Sequence, residues 1–183
     1  LDEIRLLAEK KEELLASIPS IQPIRNEDLK RMASGYGWRI DPFTKTRKRH
    51  YGMDFSANRG TPIYAPGNGV VKRADSRSSG YGRHIRIDHG FGYVTVYAHL
   101  NKYNVKRGQK VKRGDIIGYV GSTGLATGPH VCYRFWKNGV QVDPFKTKLP
   151  PSDPISDASR VSFEFYRDSL TQILDSIPFT EGL

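Results

Sequence analysis

"GYVTVYAHL", residues 92–100, decides what kind of fold this chain adopts. The run alternates strictly. Val94, Val96, Ala98 and Leu100 occupy one side of an extended segment, and Tyr93, Thr95, Tyr97 and His99 the other. Successive side chains of a strand point to opposite faces, so this alternation predicts a half-buried strand. The aliphatic side reads as the core face, and His99 sits with aromatic rings and a hydroxyl on the second. Just upstream, "GRHIRIDHG" (82–90) groups Ile85, Ile87 and His89 against His84, Arg86 and Asp88. His89 reads as a core or turn histidine, His84 as exposed, and Asp88 as a turn cap.

Further out the pattern repeats. "GTPIYAPGNGVVKRA" (60–74) reads as strand, turn and strand, and short alternating runs separated by Gly-rich turns extend from about residue 30 to 148. The fold class is therefore mainly β. "VKRGQKVKRGDIIGYVG" (105–121) holds two near copies of Val-Lys-Arg-Gly and predicts a tight hairpin. It also resembles a biotinyl- or lipoyl-type hairpin, but shows no lysine at an exposed tip. At the N-terminus, Ile4, Leu7, Lys11, Leu14, Leu15 and Ile18 recur near helical spacing, which predicts an amphipathic helix over 2–17, broken by "PSIQP" (19–23). After "LPPSDP" (149–154), Phe163, Tyr166, Leu170, Ile173, Leu174 and Ile177 predict a second helix able to dock on the domain or a partner. The domain reading is a helix and linker over 1–29, a β domain over 30–148, and a Pro-rich linker with a helix over 149–183.

Composition narrows the partners. A formal charge of +10 on 183 residues suits an anionic partner. The basic residues are scattered, with no nucleic-acid module around them, so nucleic acid is not the expected partner. A membrane surface or an acidic wall polymer fits. No run reaches the roughly 18 apolar residues of a membrane span. The chain begins with Leu, which leaves room upstream for a signal peptide, a membrane anchor or a coiled-coil partner. Its single Cys excludes an internal disulfide.

Chemistry concentrates in two stretches. "HYGMD" sets His50 and Asp54 four apart, and Gly52 between them permits a bend that converges imidazole and carboxylate, a suitable pair of zinc ligands. "PHVCYRFW" (129–136) puts His130, Cys132, Arg134 and Trp136 on one face and Val131, Tyr133 and Phe135 on the other. Cys132 beside His130 is either half of a ligand or ligand–base pair, or a small buried hydrophobe. His99 offers a third imidazole.

Together "SGYGWRIDPF", "HYGMDFSANRGTPIYAPGNGVV", "GYVTVYAHL", "VKRGDIIGYVGSTGLATGPHV" and "NGVQVDP" resemble the lysostaphin-type (LytM-like) zinc metallopeptidases, in that family's order and over about residues 33–145. The resemblance implies a compact antiparallel β domain with an open groove, a Zn2+ cofactor, and cleavage of peptides in bacterial peptidoglycan, in the cell envelope outside the cytoplasm. It makes His50 and Asp54 metal ligands and His99 and His130 catalytic, and sets Cys132 where the family has its third, histidine, ligand. Arg134 stands where the family often has an acid, and with Tyr97 is expected at the substrate. Cysteine is shorter than histidine, so its donor atom should sit a few ångströms back, and either the strand shifts inward or the third ligand is lost. A thiolate also leaves the site neutral rather than +1, which acidifies a bound water less. Two readings follow: a zinc-dependent peptidoglycan endopeptidase, or a non-catalytic module of the same fold that binds wall peptides or activates another hydrolase.

Overall fold

The computed structural model describes residues 2–149 and 157–176. The chain divides into two compact units, Leu1–Ser152 and Asp153–Leu183. Helix α1 (Asp2–Ser17) opens the first unit. Thirteen strands follow: β1 (Arg31–Ser34), β2 (Gly37–Ile40), β3 (Arg47–His50), β4 (Met53–Ser56), β5 (Pro62–Tyr64), β6 (Gly69–Ser78), β7 (Gly82–Gly90), β8 (Tyr93–Ala98), β9 (Lys102–Tyr103), β10 (Lys110–Val111), β11 (Ile116–Tyr119), β12 (His130–Lys137) and β13 (Val140–Val142). The second unit holds helix α2 (Asp157–Ser176), which starts four residues earlier than its apolar spacing suggested; Ile177 lies outside the described residues. Among the described residues no helix is long and apolar enough to cross a membrane.

Every strand pairing is antiparallel. The main sheet runs β1-β4-β12-β8-β7-β6-β10, with β13 also on β12; β5-β11-β9 form a second sheet and β2-β3 a two-stranded arm. One core joins Phe55, Val71, Ile85, Ile87, Tyr133 and Phe135 of the main sheet with Ile63 and Ile117 of the second. Ile18 and Ile24, after α1, belong to the same core. Helix α1 is tied in at its C-terminal end, where Arg113 donates to the Leu15 and Ile18 carbonyls and Asn68 N–H to that of Ala16.

Strand β8 reverses its expected faces. Thr95 and Tyr97 are fully buried, and Tyr97 packs on Tyr133 with ring centroids 5.6 Å apart. Tyr97 therefore belongs to the core and not, as expected, to the substrate groove. The aliphatic face instead pairs with the other side of β12, Val96 opposite Arg134 and Ala98 opposite Cys132. Alternation alone misleads here because both faces of this central strand are covered, and the large rings fill the thicker layer. The buried hydroxyls are satisfied in a chain. The Asn68 carbonyl can only accept, so His89 Nδ1–H donates to it (2.7 Å) and His89 Nε2 accepts from Thr95 (2.8 Å). Thr95 Oγ1 in turn accepts from the Tyr97 hydroxyl (2.8 Å).

Two other expectations change. The Val-Lys-Arg-Gly copies do not form a hairpin with each other: β10 pairs with β6 and β11 with β5 and β9. Each copy is a separate tight turn ending on a glycine with left-handed backbone, Gly108 (φ 87°) and Gly114 (φ 88°). His84 is buried rather than exposed, its Nδ1–H donated to the Gly82 carbonyl and its ring against Tyr81. Asp88 caps its turn as expected, accepting from Gly90 N–H.

Burial pushes the His89 imidazole down to about 4 from its usual 6.5. A depressed histidine pKa means that between these values the unfolded chain binds the extra proton, so stability is full above about pH 6.5 and falls as pH drops toward 4. The whole effect is about 3 kcal/mol. Urea unfolding at pH 7 and pH 5 should show this loss, and His89→Gln should flatten the slope between the two; an unchanged slope would remove His89 as its source.

Candidate metal centre

The site is built on the register of β12 with its neighbours. Cys132 lies directly opposite Asp54 on β4, which puts the two side chains on one face, and opposite Ala98 on β8. His50 ends β3, and the turn through Gly52 brings its ring back over Asp54. A side chain at residue 52 would displace the cysteine: a Cβ there would lie 2.7 Å from Cys132 Sγ. His130 begins β12 on the same face as Cys132. His99 follows the last residue of β8 and has left-handed backbone (φ 66°), uncommon for a residue with a side chain. That twist takes its ring off the Tyr97 side and beside His130, ring centroids 4.7 Å apart. Strand parity could not have shown this.

Each of the three imidazoles gives one nitrogen to a backbone carbonyl. His50 Nδ1–H donates to Gly35, His99 Nδ1–H to Thr123 and His130 Nδ1–H to Gly128, at 3.0, 2.8 and 2.8 Å. A carbonyl cannot donate, so Nδ1 carries the proton and every Nε2 is left with a bare lone pair. The loop that supplies the Thr123 carbonyl is held by contact between two glycines with positive φ. A Cβ on Gly124 would lie 2.4 Å from Gly82 N.

The bare lone pairs converge. His50 Nε2 lies 3.3 Å from Asp54 Oδ1 and 3.5 Å from Cys132 Sγ, and the three donors all lie within 4.8 Å of one another. Asp54 Oδ1 is buried and has hydrogen-bond geometry to no group, although His130 Nε2 also stands 3.8 Å away. With the rings neutral, lone pair faces lone pair in a buried pocket, and either a proton on Nε2 or a metal cation relieves the contact. Tetrahedral coordination with ordinary bond lengths requires edges of ~3.4 Å between N and O and ~3.6 Å between N and S. The two measured edges meet those values, so the shorter cysteine has not withdrawn the third donor. The residues fit a metal.

Electrostatics agree. Burial pushes the Asp54 carboxyl up, but the facing His50 and His130 rings outweigh it and hold the group below its usual value. Burial, reinforced by the Asp54 charge, pushes the Cys132 thiol up to about 12. Without a cation it stays protonated. Burial pushes His99 down to about 4, so its ring is neutral at pH 7.

These residues floor a cleft of about 570 Å³. One wall is the β2–β3 arm, with Arg39, Asp41, Phe43 and Lys48; the other is the 125–130 loop. Arg134 lines it, its guanidinium 4.8 Å over the Tyr81 ring. Of the expected site residues, His50, Asp54, His99, His130, Cys132 and Arg134 come together here and Tyr97 does not. Sequence reading missed Arg39, whose Nη2 is 3.6 Å from Asp54 Oδ2, and Tyr81. Pairing "GWRI" against "RKRH" by parity would have put Arg39 and Lys48 on the His50 side; nothing in the sequence marks Tyr81.

Comparison with known proteins gives the same answer. Residues 48–144 match the model of peptidase family M23. The peptidoglycan DD-endopeptidase ShyC of Vibrio cholerae is 38% identical over 137 residues, 74% of this chain and 31% of that protein. A zinc containing peptidase from Vibrio cholerae superposes with a TM-score of 0.65 at 35% identity, covering 70% of this chain and 40% of that one. The catalytic domain of lysostaphin from Staphylococcus simulans gives 0.59 at 36% identity, over 66% of this chain and 91% of that domain. The chain spans about a quarter to a third of the length of its first curated relatives, 26% of one and 35% of another. A match over more than half of the chain, on a domain whose cleft gathers these donors, means that the chain belongs to peptidase family M23.

Proposed function

We propose that this chain is a zinc-dependent endopeptidase that hydrolyses peptide bonds of bacterial peptidoglycan, outside the cytoplasm. The observation that carries the reading is the convergence of His50 Nε2, an Asp54 oxygen and Cys132 Sγ within 4.8 Å, the two edges at His50 at tetrahedral lengths, beside two more imidazoles whose Nδ1 atoms are committed to carbonyls. A mixed nitrogen, oxygen and sulfur set suits zinc and not magnesium or calcium. Similarity to a zinc containing peptidase and to a peptidoglycan DD-endopeptidase supports the same metal and substrate. The donor geometry favours catalysis over a non-catalytic binding module, for which a preserved pair of free imidazoles has no use.

Zinc so held supplies Lewis acidity toward a peptide carbonyl and toward water. The chain's residues do the rest. His99, neutral at pH 7, presents its Nε2 lone pair to a water O–H and orients the oxygen. His130, 4.7 Å away between ring centroids, shares the proton and passes it to the departing amine nitrogen. Water's oxygen ends on the acyl carbon and its two protons on the carboxyl and amine products. The Nδ1 bonds to the Thr123 and Gly128 carbonyls fix both tautomers through the cycle.

The zinc-loaded chain should release free amines from purified peptidoglycan, stop on chelation and resume when zinc is restored. His99→Ala or His130→Ala should lower the rate about 10²- to 10⁴-fold with zinc still bound. Stoichiometric zinc with no amine release would sink the catalytic reading.

Cys132 has its own test. With cobalt in place of zinc, a thiolate donor gives a sulfur-to-cobalt charge-transfer absorption in the near ultraviolet. That band should be present in the native chain and absent in Cys132→Ser, together with at least about tenfold weaker metal binding. A Cys132→Ser variant with unchanged affinity would remove the cysteine from the donor set.

A further inference from the structure

We propose that Arg39 and Lys48 form a carboxylate-recognition pair on the cleft wall, selecting peptides with a free carboxylate near the scissile bond over neutral ones. The proposal rests on the peptidase reading of the same cleft and specifies its substrate class.

The β2–β3 register places Arg39 directly opposite Lys48. Both line the cleft. Like charges directly opposite in an antiparallel pair repel, and an anion between them removes the repulsion. Among the described residues no carboxylate is hydrogen-bonded to both, although Asp41 lies within reach of the Lys48 charge. Asp41 turns Oδ1 into its own loop, accepting from Phe43 N–H, Thr44 N–H and the Thr44 hydroxyl at 3.0, 2.8 and 3.1 Å. Asp54 meets Arg39 Nη2 only at 3.6 Å and directs its other oxygen at the metal donors. Arg39 Nε is buried and has no acceptor. The Lys48 charge is felt by Asp41 across the arm, but its ammonium is tied down by no hydrogen bond among the described residues.

The other two cations on the strands of the arm behave differently. Arg47 stacks on Trp38 at 5.5 Å and Arg49 on Tyr36 and Tyr51 at 5.6 and 5.4 Å, so both are engaged by aromatic faces. Arg39 and Lys48 are thus the cleft-lining cations of this arm that no aromatic face engages. A guanidinium and an ammonium side by side offer a carboxylate two charge-assisted hydrogen bonds, which a carboxamide or a glycine cannot accept with equal strength. Because Arg39 also touches Asp54, that carboxylate would sit close to the hydrolysed bond.

The test is binding, kept separate from cleavage. A fluorescein-labelled tetrapeptide ending in D-alanine is titrated with the zinc-loaded full chain at 0.15 M salt, as the free acid and as the C-terminal amide. Anisotropy should show the amide binding at least about tenfold more weakly. Lys48 is exposed, so Lys48→Glu should fold normally and reduce the preference to less than about twofold, while Lys48→Arg keeps it. Equal binding of acid and amide, an unchanged preference in Lys48→Glu, or no binding of either peptide overturns the proposal. Amine release from peptidoglycan is measured in parallel. A carboxylate preference without cleavage upholds the pair and removes the peptidase reading, whereas cleavage without a preference does the reverse.

Discussion

The register of β12 between β4 and β8 is the constraint on which the rest depends. It sets Cys132 beside Asp54 on one edge and Ala98 on the other, and it sends Val131, Tyr133 and Phe135 into the core. Side-chain period in a strand is two, so a slip of one residue would bury His130, Cys132 and Arg134 and expose the aromatic layer. The core therefore enforces the site. Tyr133 packs on both Phe55 and Tyr97, one from each flanking strand, which makes the slipped register costly on both sides at once.

The histidines are placed by a different device. None is fixed by packing alone: each spends Nδ1 on a main-chain carbonyl from a loop, at Gly35, Thr123 or Gly128. Those loops are anchored in turn. The 121–125 segment is held by Thr123 N–H to the His99 carbonyl, Leu125 N–H to that of Gly80 and the contact between Gly82 and Gly124. Orientation of the imidazoles is thus a property of the backbone, which moves less than a side chain. This satisfies the requirement that catalytic groups be held before substrate arrives.

How much of this was legible follows from what sequence encodes locally. Parity put His130, Cys132 and Arg134 on one face correctly, because β12 is regular along its length and its two sides differ in polarity. The same rule misplaced Tyr97, because β8 is covered on both sides and hydrophobicity no longer tells core from cleft. It also misplaced the reason for His99, whose ring reaches the site through a left-handed residue after the strand ends. The paired VKRG turns misled because repeated sequence suggested mutual pairing, whereas their partners, β6 and β5, lie some 40 residues or more upstream in the chain. Long-range pairing of short strands leaves little local trace. His84 was misjudged for a related reason: its cover is Tyr81, across a turn.

The cysteine then finds its explanation in its surroundings. A donor set of imidazole, carboxylate and thiolate carries two negative charges and leaves a divalent ion neutral, which weakens its pull on a carbonyl oxygen. Here cations stand close behind the donors. Arg39 lies against the outer oxygen of Asp54, and Arg134 follows Cys132 on the same face of β12, held over Tyr81. Both are partly buried along the cleft, where their potential is screened less than at a free surface. They restore positive field at the place where negative charge develops during attack, without adding a ligand. On the proposed reading, a thiolate at position 132 is compatible with hydrolysis because Arg39 and Arg134, not the donor set itself, would supply the missing charge.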